Sequence, residues 1–139
     1  MYKILTVILA LLALFVLFPA IVKADVKEEN EIVKKVEMVR IQNHLNLLSV
    51  DDELTEKARI RAEEAAQKWS HTRPDGSEWS TIGSDGENLC YTRDLSLVVD
   101  LWMNSDSHRD NILYDGFSSM GIGIYEENGV YYIAQEFAL

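Results

Sequence analysis

Residues 100–113 read DLWMNSDSHRDNIL, and the fold turns on how that stretch is taken. It begins as an amphipathic helix, with Trp102 between Leu101 and Met103. A polar run over 104–107 interrupts it. His108 and Arg109 then stand side by side, ahead of an apolar pair, Ile112 and Leu113. A surface loop has no need of Trp flanked by Leu and Met. A plain core helix has no need of Asn-Ser-Asp-Ser-His-Arg through its middle. The stretch therefore reads as a helix end and a second short helical turn, which delivers one imidazole to a partly buried polar site. Two other pieces are candidates to meet it there: His71, in SHTRPDG (70–76), and Glu87, in GENL (86–89).

Upstream, Asp94 is placed to cap a helix over 95–104, with Leu97, Val98, Leu101 and Trp102 inward. GENLCY (86–91) reads as a short extended segment. Before it, Pro74 and the Asp75-Gly76 step enforce a turn. The strongest helix precedes that turn. Ser49 or Asp51 caps it, and Leu54, Ala58, Ala62, Ala65 and Ala66 give it a small-residue face, with Ile60 and Trp69 beside them. Glu53–Lys57 and Glu64–Lys68 are spaced as helical ion pairs. A further helix is expected over 27–43, with His44 as a surface or helix-end histidine.

Downstream the period changes from helical to two. Met120, Ile122 and Ile124 alternate with Gly121 and Gly123, so one face of this strand lacks side chains and something packs very close to it. Glu-Glu-Asn-Gly (126–129) supplies a tight hairpin turn, and residues 130–137 return as the partner strand.

The chain has 139 residues and a net charge of −10. Residues 4–22 are apolar and free of charge, behind Lys3 and ahead of Val22-Lys23-Ala24. This is the pattern of an export signal over 1–24, cut after Ala24. Its length also suits an uncleaved membrane anchor, and either way the domain lies outside the cytoplasm. Residues 25–35 then form a lead-in and 36–139 the domain. Residues 1–24 hold two lysines and no acid, so the remainder carries −12. That balance excludes nucleic acid as a partner, and it leaves the membrane a role only through an uncleaved N-terminal segment. The one cysteine, Cys90, leaves no internal disulfide and reads as a buried free thiol.

Two histidines and a glutamate can give three ligands to a zinc ion with an open position. Each also has a plain structural reading. His71 suits a helix end, His108 suits pairing with Asp106 or Asp110, and Glu87 suits capping of its own loop. Five blocks in order go further: AEEAAQKWSHTRPDG, GENL, LWMNSDSHRDNIL, MGIGI and YYIAQEF. With them, residues 36–137 resemble the CAP superfamily, also called the SCP domain. It includes cysteine-rich secretory proteins, insect antigen 5 and plant pathogenesis-related proteins. The forms here look like its short bacterial branch, which usually lacks disulfides.

The resemblance implies an α+β fold: an α-β-α sandwich with a small central antiparallel sheet flanked by helices. It implies a cleft lined by His71, Glu87 and His108. A weakly bound divalent cation, zinc before others, is then expected on His71 and His108, with Glu87 as ligand or supporting partner. The family's second glutamate falls at Ser105, so the four-residue set is incomplete. The resulting expectation is a secreted binding module for an extracellular ligand, lipid or protein. An extracellular hydrolase using His71, His108 and Glu87 is the alternative, and so is a surface-interaction domain with a vestigial cleft. No GxSxG elbow and no cysteine-protease signature around Cys90 supports catalysis.

Overall fold

The computed structural model of the protein describes residues 26–139. The signal or anchor segment and its cut site lie outside the described residues. Among the described residues no helix is long and apolar enough to cross a membrane.

Helix α1 spans Val26–Gln42 and buries Ile32, Val33 and Val36 along one stripe. A two-residue strand, β1 (Ser49–Val50), leads into α2 (Asp52–Gln67). Asp51 is the cap, its carboxylate accepting from Leu54 N at 2.8 Å. After a short 3₁₀ turn, β2 runs Gly86–Thr92. A second 3₁₀ turn at Leu95–Leu97 precedes α3 (Val98–Met103), and α4 follows at Asp106–Leu113. Strands β3 (Ser119–Glu127) and β4 (Val130–Ala138) end the chain as a hairpin. Asn128 and Gly129 both take positive φ, 54° and 76°, as the tight turn requires.

The sheet order is β1-β3-β4-β2. Pairing is antiparallel except for β1, which joins β3 in parallel, so the sheet is mixed where an antiparallel one was expected. The two faces are covered differently. On one, α1, α3 and α4 contribute Ile32, Val36, Val98, Trp102 and Ile112 to a core with Met120, Ile122 and Ile133. On the other, α2 lays Ala58, Ala62 and Ala65 against Leu89 and Ala134. The glycines explain how close α2 comes. A Cβ on Gly121 would sit 2.2 Å from Thr55 N, and one on Gly123 2.1 Å from Arg59 N. Both clashes are with helix backbone, which cannot yield as a side chain can. The bare strand face seen in the sequence is thus the seat of α2.

Some helical expectations need correction. Leu97 and Leu101 are exposed, at 45% each, and not inward. The α-helix starts only at Val98, so its buried face is Val98, Val99 and Trp102. Ile60 and Trp69 are also exposed. Of the two expected pairs, Glu53–Lys57 forms at 2.8 Å. Lys68 is already the non-helical cap, and Glu64 turns to two arginines. Trp102 is core as read; its indole donates to Leu89 O at 3.1 Å. Cys90 is buried, and burial pushes its thiol up to about 11.

Candidate functional site

Strand β2 is a sheet edge, and the two helical layers meet beside it. Glu87 is its second residue and faces α2. There its carboxylate meets Arg61, and both side chains are about 1% exposed. Arg61 Nε donates to Glu87 Oε2 at 2.6 Å and Nη2 to Oε1 at 3.1 Å. The same guanidinium donates to Glu64 Oε2 at 2.6 Å and to the carbonyl of Ser70 at 3.1 Å. Arg73 closes the far side, its Nη2 2.7 Å from Glu64 Oε1. One buried arginine therefore fixes both the carboxylate on β2 and the backbone that carries His71.

His71 lies beyond the end of α2, with its side chain 53% exposed. Its Nδ1 is 2.8 Å from Glu87 Oε1. Burial acts to raise the Glu87 carboxyl, but hydrogen bonds from His71 and Arg61 outweigh it and hold the group below its usual range. An ionised carboxylate only accepts, so Nδ1 carries the proton and donates. With Nδ1 on the buried carboxylate, Nε2 is the ring nitrogen left to the cleft.

His108 approaches from the other layer, on the first turn of α4 and partly buried. Burial and the charge of His71 both push its imidazole below the ordinary value. It does not pair with Asp106, whose carboxylate takes Arg109 at 2.7 Å. Its main chain is fastened instead: Asn88 Nδ2 donates to the His108 carbonyl at 3.1 Å. Asn111, one turn on, donates to the Asn88 side chain at 2.9 Å and to the Glu87 carbonyl at 3.2 Å. Asn88 and Asn111 thus register α4 on β2.

The three expected residues do come together. His71, Glu87 and His108 line one cleft of about 370 Å³, with Glu78, Trp79 and Ser107. His44 is elsewhere: it is exposed just past α1, at φ 58°.

Two further residues stand outside the three that the sequence reading placed in the cleft. Arg61 falls on the buried stripe of α2, between Ala58 and Ala65, where an unpaired arginine could not stay. That misfit was the available signal. Glu136 is the other. It is directly opposite Glu87 in the β2–β4 register and fully buried. Burial, then the neighbouring Glu87, pushes its carboxyl up to about 10, so it is protonated at neutral pH. Its Oε2 accepts from the Ser84 hydroxyl. Taken as ionised, its Oε1 is the buried side-chain atom without a partner among the described residues. A proton shared with Glu87 resolves that orphan.

Among the described residues, no group of three or more His, Cys, Asp or Glu side chains is arranged to hold a metal ion. Both Glu87 oxygens are engaged, in the manner of a carboxylate that orients a ligating histidine. The donor set does not fit a three-ligand catalytic zinc.

A family model for the cysteine-rich secretory protein family matches residues 33–137. The chain belongs to the CAP family. Among curated proteins, this CAP domain is similar to the uncharacterized protein YkwD of Bacillus subtilis (strain 168). They are 29% identical over 114 residues, covering 74% of this chain and 44% of that protein. The chain therefore spans less than half the length of the curated relative it matches.

Two solved structures share the CAP fold at 22% identity. One is an extracellular protein containing an SCP domain from Bacillus anthracis str. Ames. Its TM-score is 0.71, over 81% of this chain and 41% of that one. The other is an outer surface protein from Borrelia burgdorferi, with a TM-score of 0.72 over 84% and 96%. At Ser105 the CAP domain here has the cap residue of α4 and no acid; the second carboxyl near Glu87 comes from β4 instead.

Proposed function

We propose that this CAP domain is an extracellular binding module that takes its ligand between His71 and His108, and that it is not a hydrolase. The observation that carries the reading is the Arg61–Glu87–His71 chain at the rim of the cleft. It holds one imidazole by its Nδ1, across the cleft from a second imidazole whose protonation burial opposes. Two imidazoles in one cleft suit a divalent cation, or a ligand with donors at two points. Export is supported by the apolar segment 4–22 and by the extracellular and surface relatives.

Hydrolysis finds little support. Among the described residues neither imidazole is hydrogen-bonded to a hydroxyl or thiol. Ser107 lines the cleft but has no base on it. Cys90 is buried with a raised thiol, the reverse of an activated nucleophile.

Zinc alone is the first probe. Calorimetry at pH 7.5 is expected to give weak binding that fades as pH falls through about 6.5, where imidazoles take protons. His71→Ala and His108→Ala each abolish it. Glu87→Gln weakens it by roughly 10–100-fold, as loss of an orienting partner does. Zinc binding that survives His108→Ala but not His44→Ala would remove the pair from consideration. Covalent labelling of Ser107 by a fluorophosphonate would overturn the module in favour of an enzyme.

A further inference from the structure

At the other end of β2 from Glu87, three aromatic side chains line a second, separate cleft of about 200 Å³: Trp69, Tyr91 and Tyr132. We propose that this cleft is a binding site for a quaternary ammonium group.

Exposure is the first argument. Trp69 is 50% exposed and Tyr91 56%, where the other large aromatic of the helical layers, Trp102, is 1%. Trp69 lies two residues beyond the end of α2, so the helix has no further need of an apolar contact there. Yet it packs on Tyr91 with ring centroids 4.8 Å apart, and Tyr91 in turn lies 6.3 Å from Tyr132.

Shape decides what such a cleft accepts. The Trp69 and Tyr91 planes meet at 86°, and Tyr91 and Tyr132 at 35°. Trp69 and Tyr91 touch edge to face, and the tilt of Tyr132 leaves a short recess walled by the three rings. A sugar ring or a flat heterocycle would want one open plane. Aromatic faces carry negative quadrupole charge and attract cations, and a recess walled by three rings suits a methylated ammonium that cannot be satisfied by hydrogen bonds.

Charge points the same way. Tyr125 is the register partner of Tyr132 on the same sheet face. The carboxylates of Glu127, Glu63 and Glu126 stand close enough to it that, with burial, they raise its phenol. The aromatic cleft thus borders an acidic cluster, on a chain of net charge −10. Lys68, next to Trp69, is the nearest cation in sequence, and its charge opposes this field.

The probe is choline, followed through the assigned backbone amide resonances of Tyr91 and Tyr132, which every variant named here keeps. Binding at millimolar concentration is expected, with no comparable shift from 3,3-dimethylbutanol, its neutral isostere. Trp69→Ala and Tyr91→Ala each weaken it by roughly 2–5-fold, the share of one exposed cation–π contact. Both residues are exposed, and circular dichroism checks that the variants fold. Vesicles separate the sources. Retention on phosphatidylcholine as well as choline binding identifies a lipid headgroup, and choline binding alone a free amine. Equal binding of the isostere, a shift from N-acetylglucosamine in place of choline, or no shift at all overturns the proposal. So does choline binding lost in His108→Ala and kept in Trp69→Ala, which would place it in the histidine cleft.

Discussion

On the α2 side of the histidine cleft, His71 is bonded to Glu87, Glu87 to Arg61, and Arg61 to Glu64, all within 2.6–2.8 Å. On the α4 side, among the described residues, His108 is held through its main chain alone, by Asn88. The first wall is a charged network whose centre, Arg61 and Glu87, is sealed from water. The second is a short helix registered by neutral amides. A cleft built this way has one histidine whose direction is set in advance and one that is free to adapt to what enters. The costs of the two walls differ accordingly. Buried ion pairs are expensive to break, because the surviving charge has nowhere to go.

The largest effect therefore belongs to Arg61. Arg61→Met leaves Glu87 buried without its main counter-charge, and a loss of about 3–5 kcal/mol is expected in urea denaturation. Arg61→Met combined with Glu87→Met should recover much of it, since no charge is then stranded. A single-variant loss below about 1 kcal/mol would mean that the wall is not one unit.

Glu136 sharpens the comparison from beneath. Its carboxyl is raised to about 10 in the folded protein against an ordinary 4.5. Between those values the folded state keeps a proton that the unfolded state releases. Stability attributable to this group thus falls as pH rises, by at most about 1.4 kcal/mol per pH unit. Glu136→Gln keeps a donor toward Glu87 and an acceptor for Ser84 without the ionisation. Its stability relative to wild type should climb steadily from pH 5 to pH 9. Glu87 itself, with a depressed value, titrates below that window and does not confuse the reading. A flat difference across the window would place the proton elsewhere.

The α2 wall was also the part of the site that the sequence hid. The hairpin, the close approach of α2 and the core position of Trp102 were legible, because each rests on local chemistry. Asn-Gly needs positive φ, two glycines leave a bare face, and a Trp on an apolar stripe goes inward. His71, Glu87 and His108 were legible only through the order of family blocks; nothing in their spacing brings them together. Arg61 was not read at all, and Glu136 was not promoted to fill the gap at Ser105. Each is a charged residue among small or apolar neighbours, and only the β2–β4 register and the lie of α2 show that they share one carboxylate. Leu97 and Leu101 failed for a simpler reason. A 3₁₀ turn before α3 shifts its phase, and propensity does not announce that.

The smallest expected effects separate the two histidines directly. His71→Ala removes one donor from the buried Glu87, and about 1 kcal/mol is expected at pH 7.5, since the ring itself is half exposed. His108→Ala removes no hydrogen bond of the ring and should lie within about 0.5 kcal/mol of wild type at that pH. Below it the ranking changes. The folded His108 value lies under the ordinary 6.5, for burial first and the His71 charge second. As pH falls through 6.5 the unfolded chain takes up a proton that the folded one refuses, so wild type loses stability there until the folded value is reached. His108→Ala is exempt from that loss. It should match wild type at pH 7.5 and exceed it at pH 5, whereas His71→Ala should start lower. Melting curves of the three proteins at both pH values test this. If His108→Ala were instead the weaker protein at pH 5, its imidazole would be stabilised as a cation in the fold, and the freely adapting wall would be wrong.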